Sequence, residues 1–189
     1  MSGEVKDSRI VYKSDWLEVY EDMLSPNKRD EQQRKGSNDS IKMFNRIKTP
    51  RDAATVIPIF PDGSILMIES YRRGVDDVIL ELPGGLIDDF EKPDETVIKE
   101  LQQETGYSCK TLEPKGWHYV WPSKVNQKNF VFLAKGLEKV SSQKLESTES
   151  TKVLIVPKVE LVKKLENKEI KSAETIAALY CSNVVHNQV

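Results

Sequence analysis

The sequence predicts a mixed α/β sandwich. Strand-like apolar runs occupy both halves of the chain, one well-delimited helix interrupts them near residue 100, and two helical segments close the sequence. At 189 residues the chain is long enough for a substantial core, and it shows neither internal repeats nor a clear domain linker.

The elements follow in order. "DWLEVYEDML" (15–24) alternates in the manner of a half-buried strand, and "IKMFNRIK" (41–48) resumes that alternation. Between them "SPNKRDEQQRKGSNDS" is polar throughout and reads as a long mobile loop. "ATVIPIF" and "SILMIESY" flank Pro61-Asp62-Gly63, which predicts a hairpin of two buried strands. "VILELP" is a further strand running into Gly84-Gly85. The central helix has Pro93 in its opening turn, Asp94 and Glu95 near its positive end, and Gly106 as its stop. "GWHYVW", "NFVFLAKGL" and "KVLIVP" then read as strands, with the polar loop "EKVSSQKLESTEST" before the last. "KVELVKKLEN" and "SAETIAALYCSN" read as helices.

Composition excludes several functions. Lys and Arg number 28 against 30 for Asp and Glu, so no net field draws nucleic acid or an anionic membrane. No apolar run is long enough to cross a bilayer, and the opening residues lack a signal peptide's apolar core. Cys109 and Cys181 form neither a disulfide framework nor a zinc pattern, and both read as small core residues in a reducing cytoplasm. With only His118 and His186 available, a metal site must use oxygen ligands, which points to magnesium or manganese.

The helix "PDETVIKELQQET" carries the chemistry. At about 100° per residue, Val97, Ile98 and Leu101 share an arc that buries against a sheet, and Glu100, Gln103 and Glu104 share the adjoining arc. Glu100 and Glu104 lie one turn apart, where their carboxylates repel unless a cation or water separates them. A solvated acidic face and a metal site both account for that pair. The glycine-bearing loop before it, at a strand end, favours the metal because backbone carbonyls can approach an ion there.

At these residues the sequence resembles the Nudix family, whose box reads Gx5Ex7REUxEExGU. Gly85, Glu91, Glu100, Leu101, Glu104, Gly106 and Tyr107 match in register, whereas Lys99 stands in place of Arg and Gln103 in place of Glu. "ATVIPI", "ESYRRG", "LELPGGLIDD", "FVFLAKGL" and "EIKSAETIAALY" extend the likeness to the ADP-ribose pyrophosphatase branch, from about Arg9 to Tyr180, with Pro122 in the position of the branch's later proline. The resemblance implies a Nudix-type mixed-sheet α/β/α sandwich with an N-terminal β extension. Residues 1–50 would supply strands and a mobile loop at a homodimer interface, and residues 51–189 the hydrolase domain.

The resemblance further implies magnesium-dependent hydrolysis of the diphosphate in ADP-ribose or a related nucleoside diphosphate sugar, giving AMP and a sugar phosphate, with manganese as a possible substitute ion. It gives the Gly84 carbonyl and the side chains of Glu100, Gln103 and Glu104 as ligands, and Glu91 as a brace of the loop. A late-loop glutamate, Glu149 or alternatively Glu146, would serve as general base or additional ligand. For the substrate it suggests Arg72 at the diphosphate, with Arg73 adding charge, Glu81 at adenine or ribose, and Trp16 and Phe44 as plates for the base. Ser123 and Gln127 depart from the branch in the loop that helps to read the terminal sugar, so another ADP- or GDP-sugar is an alternative substrate. Lys99 and Gln103 leave two readings open, a working hydrolase and a nucleotide-binding module of impaired activity.

Overall fold

The computed structural model describes residues 4–25, 42–145 and 150–185. The chain forms two compact units, one of Met1–Pro50 with Trp121–Gln127 and the other of Arg51–Val120 with Lys128–Val189.

The first unit is an antiparallel sheet of β1 (Val5–Lys13), β2 (Glu18–Leu24) and β3 (Lys42–Lys48), in that order. β1 escaped the sequence reading because every one of its residues is exposed, so no apolar alternation marks it. A polar tie holds the sheet together. Asp22 of β2 is buried and accepts from Ser8 of β1 at 2.5 Å and from Arg46 of β3 at 2.7 Å. Most of the expected 25–40 loop, from residue 26 onward, lies outside the described residues. Residues 121–127 join this unit by local bonds to β3: Ile47 N–H donates to Lys124 O at 2.7 Å, and Thr49 N–H to Asn126 Oδ1 at 2.8 Å.

The second unit is built on a mixed sheet, β7 (Gly84–Leu86), β4 (Ala53–Pro58), β10 (Lys128–Lys135) and β9 (Thr111–Tyr119). In it β4 and β10 run parallel and the other pairs antiparallel. A second sheet orders β12 (Thr151–Val156), β5 (Ile65–Arg72) and β6 (Asp77–Glu81), while β8 (Tyr107–Ser108) pairs with β11 (Glu138–Lys139). Strand alternation divides the core in two. Val131 and Leu133 of β10 join Ile57 of β4 with Leu161 of α2 (Lys158–Glu166) and Ala178 and Leu179 of α3 (Ala173–Cys181). Phe132 and Ala134 face the other way, with Ala54, Val56, Val97 of α1 (Pro93–Glu100) and Leu101. Helices therefore cover both faces of the sheet, which is the expected α/β/α sandwich.

Two expectations are corrected. The turn at Pro61-Asp62-Gly63 forms, with Gly63 at φ 83° and Phe60 N–H donating to Ser64 O at 2.9 Å, yet it does not make a hairpin. Beyond a lone bridge between Ile59 and Ile65, β4 and β5 part into different sheets, because each is already paired on both edges. Ile98 is also not core but 43% exposed. The inward arc of α1 is Thr96 and Val97, continued by Leu101, and Thr96 turns its hydroxyl to Glu91 and to Lys92 O.

Candidate active site

The loop and the helix fix each other. β7 brings Gly84 so close to β4 that a Cβ there would meet backbone, with Thr55 Cα at 2.9 Å, so only glycine permits this pairing. Gly84 N–H then donates to Glu104 Oε2 at 3.0 Å. On the next residue, a Cβ on Gly85 would lie 2.8 Å from both Cδ and Oε1 of Glu100. Two carboxylates one turn apart thus converge on adjacent residues of the strand end. Glu104 is buried, Glu100 half-buried and Gln103 exposed.

The helix widens where it carries these groups. α1 is followed by a π-helical turn over Leu101–Thr105, which Gly106 ends at φ 74°. The carbonyls released at such an end need donors from elsewhere. Gly106 N–H serves Gln102 O at 2.8 Å, Lys144 N–H serves Gln103 O at 2.8 Å, Gln143 Nε2 serves Glu104 O at 2.6 Å, and Lys139 Nζ serves Thr105 O at 2.7 Å. Segment 139–144 is thereby laced to the turn that presents Glu104.

Glu91 braces the loop, as the resemblance implied. Its Oε2 accepts from Thr96 Oγ1 at 2.7 Å, from Lys99 Nζ at 2.9 Å and, more distantly, from Asp88 N–H at 3.4 Å. These contacts, led by the Thr96 hydroxyl, hold its carboxyl below the ordinary range. Lys99 also reaches Asp88 Oδ2 at 2.9 Å, and Arg51 donates to Asp88 Oδ1 at 2.8 Å. Sequence reasoning missed Arg51 and Asp88, since neither lies at a position that periodicity or the box singles out.

Arg72 and Glu81 meet across β5 and β6, with Arg72 Nε donating to Glu81 Oε1 at 2.6 Å. Burial pushes the Glu81 carboxyl up, against the pull of the Arg72 guanidinium. Glu81, buried at the strand end, therefore holds Arg72, whose side chain is about half exposed.

In the N-terminal unit Trp16 lies in the turn between β1 and β2 and is 62% exposed, while Phe44 sits on β3 with Lys124 Nζ 3.9 Å above its ring. The register pairs Phe44 with Asp22 and Lys48 with Glu18, leaving Trp16 beyond the far end of that span. Those four strand steps amount to about 14 Å of backbone. Glu146 and Glu149 lie outside the described residues.

The donors present suit a hard divalent cation. Two carboxylates converge on a backbone loop, with no thiolate or imidazole among the converging groups. Among the described residues no group of three or more His, Cys, Asp and Glu side chains has metal-binding geometry.

Residues 49–179 match the NUDIX domain. The chain is 30% identical over 128 residues to an ADP-ribose pyrophosphatase of Bacillus subtilis (strain 168), covering 67% of this chain and 69% of that protein. It is 24% identical over 154 residues to a GDP-mannose pyrophosphatase of Yersinia enterocolitica, covering 77% and 80%. A crystal structure of an ADP compounds hydrolase superimposes with a TM-score of 0.80 at 22% identity, over 100% of this chain and 98% of the other, a likeness of fold.

Proposed function

The chain belongs to the Nudix family, and from that premise we propose that it hydrolyses the diphosphate of ADP-ribose or a related nucleoside diphosphate sugar, releasing AMP and a sugar phosphate. The observation that carries this reading is the convergence of Glu100 and Glu104 on Gly84-Gly85.

Magnesium is the proposed cofactor, with manganese as a substitute. Glu100, Glu104, the Gln103 side-chain oxygen and the Gly84 carbonyl would hold it. When bound, it offsets the charge of the diphosphate and acidifies water near neutral pH. The residues of the chain supply the rest. Gly84 N–H fixes the Glu104 carboxylate, a charge-assisted bond of about 1.5–3 kcal/mol. Arg72, held at Nε by Glu81, directs its remaining donors at the anionic diphosphate. The base stacks on Trp16, with Phe44 as the opposing plate. Glu149, or else Glu146, takes the proton of the attacking water.

The protein acts as a homodimer through its N-terminal strands, a role supported by the exposed apolar residues of β1. A cytoplasmic setting fits the two free thiols of Cys109 and Cys181. Among the described residues no helix is long and apolar enough to cross a membrane.

Incubation with ADP-ribose and magnesium should yield AMP and ribose 5-phosphate. A panel including GDP-mannose then identifies the preferred sugar. Absence of turnover across the panel, with manganese also tried, rejects the proposal.

A further inference from the structure

Lys99 offers a point charge where a guanidinium fork would hold two carboxylate groups rigidly. It nevertheless reaches both Asp88 and Glu91, each at 2.9 Å. The remaining oxygen of Asp88 accepts from Arg51 Nη1 at 2.8 Å. Arg51 lies outside the matched box, two residues before β4, and is firmly seated by its neighbour. Asp52 O accepts from Ile87 N–H at 2.9 Å, and Asp52 Oδ1 accepts from Lys128 N–H at 2.8 Å at the start of β10. The Arg51-Asp52 pair thus grips the loop at Ile87 and Asp88 from the sheet side, while Lys99 grips it at Asp88 and Glu91 from the helix side.

We propose that Arg51 is a positioning residue for the metal-binding loop, supplying through Asp88 the second cationic arm that Lys99 lacks. Neither cation alone spans the loop. Arg51 anchors Asp88 to the sheet, Lys99 joins Asp88 to Glu91, and Glu91 is fixed to α1 through Thr96. The chain of contacts runs from the sheet to the helix that bears Glu100 and Glu104, so it sets the separation of Gly84-Gly85 from those carboxylates. The opposing view is that a partly exposed ion pair contributes nothing measurable. The two views differ in one respect: a brace shared between Arg51 and Lys99 makes their effects non-additive.

The consequence for catalysis rests on the proposed hydrolase activity, but the brace itself does not. The test compares the parent protein, Arg51→Ala, Lys99→Arg and the double variant. Amide hydrogen exchange over residues 86–92, measured without metal or substrate, should quicken about fivefold in Arg51→Ala. Adding Lys99→Arg, which restores the fork, should return it to the parent rate. Manganese affinity followed by electron paramagnetic resonance should weaken about tenfold in Arg51→Ala and recover in the double variant. Arg51→Lys should retain most of both. If Arg51→Ala does not fold, Arg51→Gln carries the same comparison with the polarity kept and the charge removed. Unchanged exchange in the loop, or an equal effect of Lys99→Arg with and without Arg51, overturns the proposal. A coupled cycle in a protein that hydrolyses nothing keeps the brace and removes the hydrolase reading. Turnover with an uncoupled cycle removes the brace alone.

Discussion

Gly84 and Gly85 are neighbours with different obligations. At residue 85 an added methyl group would press on the end of the Glu100 side chain, a part that can swing aside, and the backbone would be undisturbed. Gly85→Ala should therefore leave urea-induced unfolding near that of the parent while kcat falls about 100-fold, as a reacting geometry loses roughly an ångström. At residue 84 the methyl group would press on the backbone of β4, so Gly84→Ala should cost roughly 1–3 kcal/mol of folding stability. Parallel unfolding curves and kcat values check the pair, and a fully active Gly85→Ala would remove Glu100 from the site. Gln103 admits an equally direct test. Gln103→Glu restores a charge on the exposed side of the turn and should lower the magnesium concentration for half-maximal rate about tenfold; an unchanged value removes residue 103 from the ligand set. Helical spacing in the sequence sets Glu100 and Glu104 one turn apart, and the resemblance made them candidate ligands. Their unequal burial was not legible, since the Gly84 N–H that holds Glu104 arrives from a strand twenty residues away in sequence. Arg72 and Glu81 were each legible as candidates, yet their mutual bond depends on the register of β5 against β6.

At the scale of the element, strands and helices with apolar residues to bury declared themselves, and those without did not. β10 was read correctly because its continuous apolar run is buried on both faces, and α3 because it buries residues three and four apart. β1 is exposed along its length, and the departure of β5 from β4 is decided by which neighbours complete each sheet, information that no local stretch contains. The π-helical turn was likewise invisible, since its carbonyls are satisfied from segment 139–144. β9 holds a further hidden feature. Neither ring nitrogen of His118 has a hydrogen-bond partner among the described residues, and burial lowers its pKa from 6.5 against the opposing charge of Glu174. The unfolded chain then takes up a proton as the pH falls through about 6.5, and the folded chain does so only at lower pH. Folding stability should consequently decline between about pH 6.5 and the depressed value. His118→Phe abolishes that decline and relieves the unpartnered nitrogens. Urea unfolding at pH 7.5 and 5.5 should show the parent losing more stability than the variant; equal losses would mean that His118 titrates normally. The difference between the two proteins cancels Glu81, whose raised pKa acts in the opposite sense, and the lowered carboxyls of Asp88 and Glu91, which lose their contribution only at still lower pH.

For the molecule as a whole, the sandwich and its acidic helix followed from the order of patterns along the chain, whereas the composition of the units did not. Residues 121–127 lie between two strands of the second unit and yet belong to the first, because their partners are Ile47 and Thr49 rather than their sequence neighbours. That first unit ends in β1, which has no strand beyond it among the described residues and exposes Ile10, Val11 and Tyr12 at 47%, 50% and 57%. An apolar edge strand left open invites pairing with another chain. A second copy is the occupant that the proposed homodimer supplies, and closed twofold symmetry lets the same strand serve both partners. Sedimentation equilibrium of the parent should give the mass of two 21.6 kDa chains. Val11→Asp with Tyr12→Glu, which places carboxylates on this edge without touching either core, should shift the equilibrium to a single chain while leaving the circular dichroism of the second unit's helices in place. A parent that sediments as one chain at micromolar concentration, or a double variant that stays paired, would show that β1 is not the surface through which the copies associate.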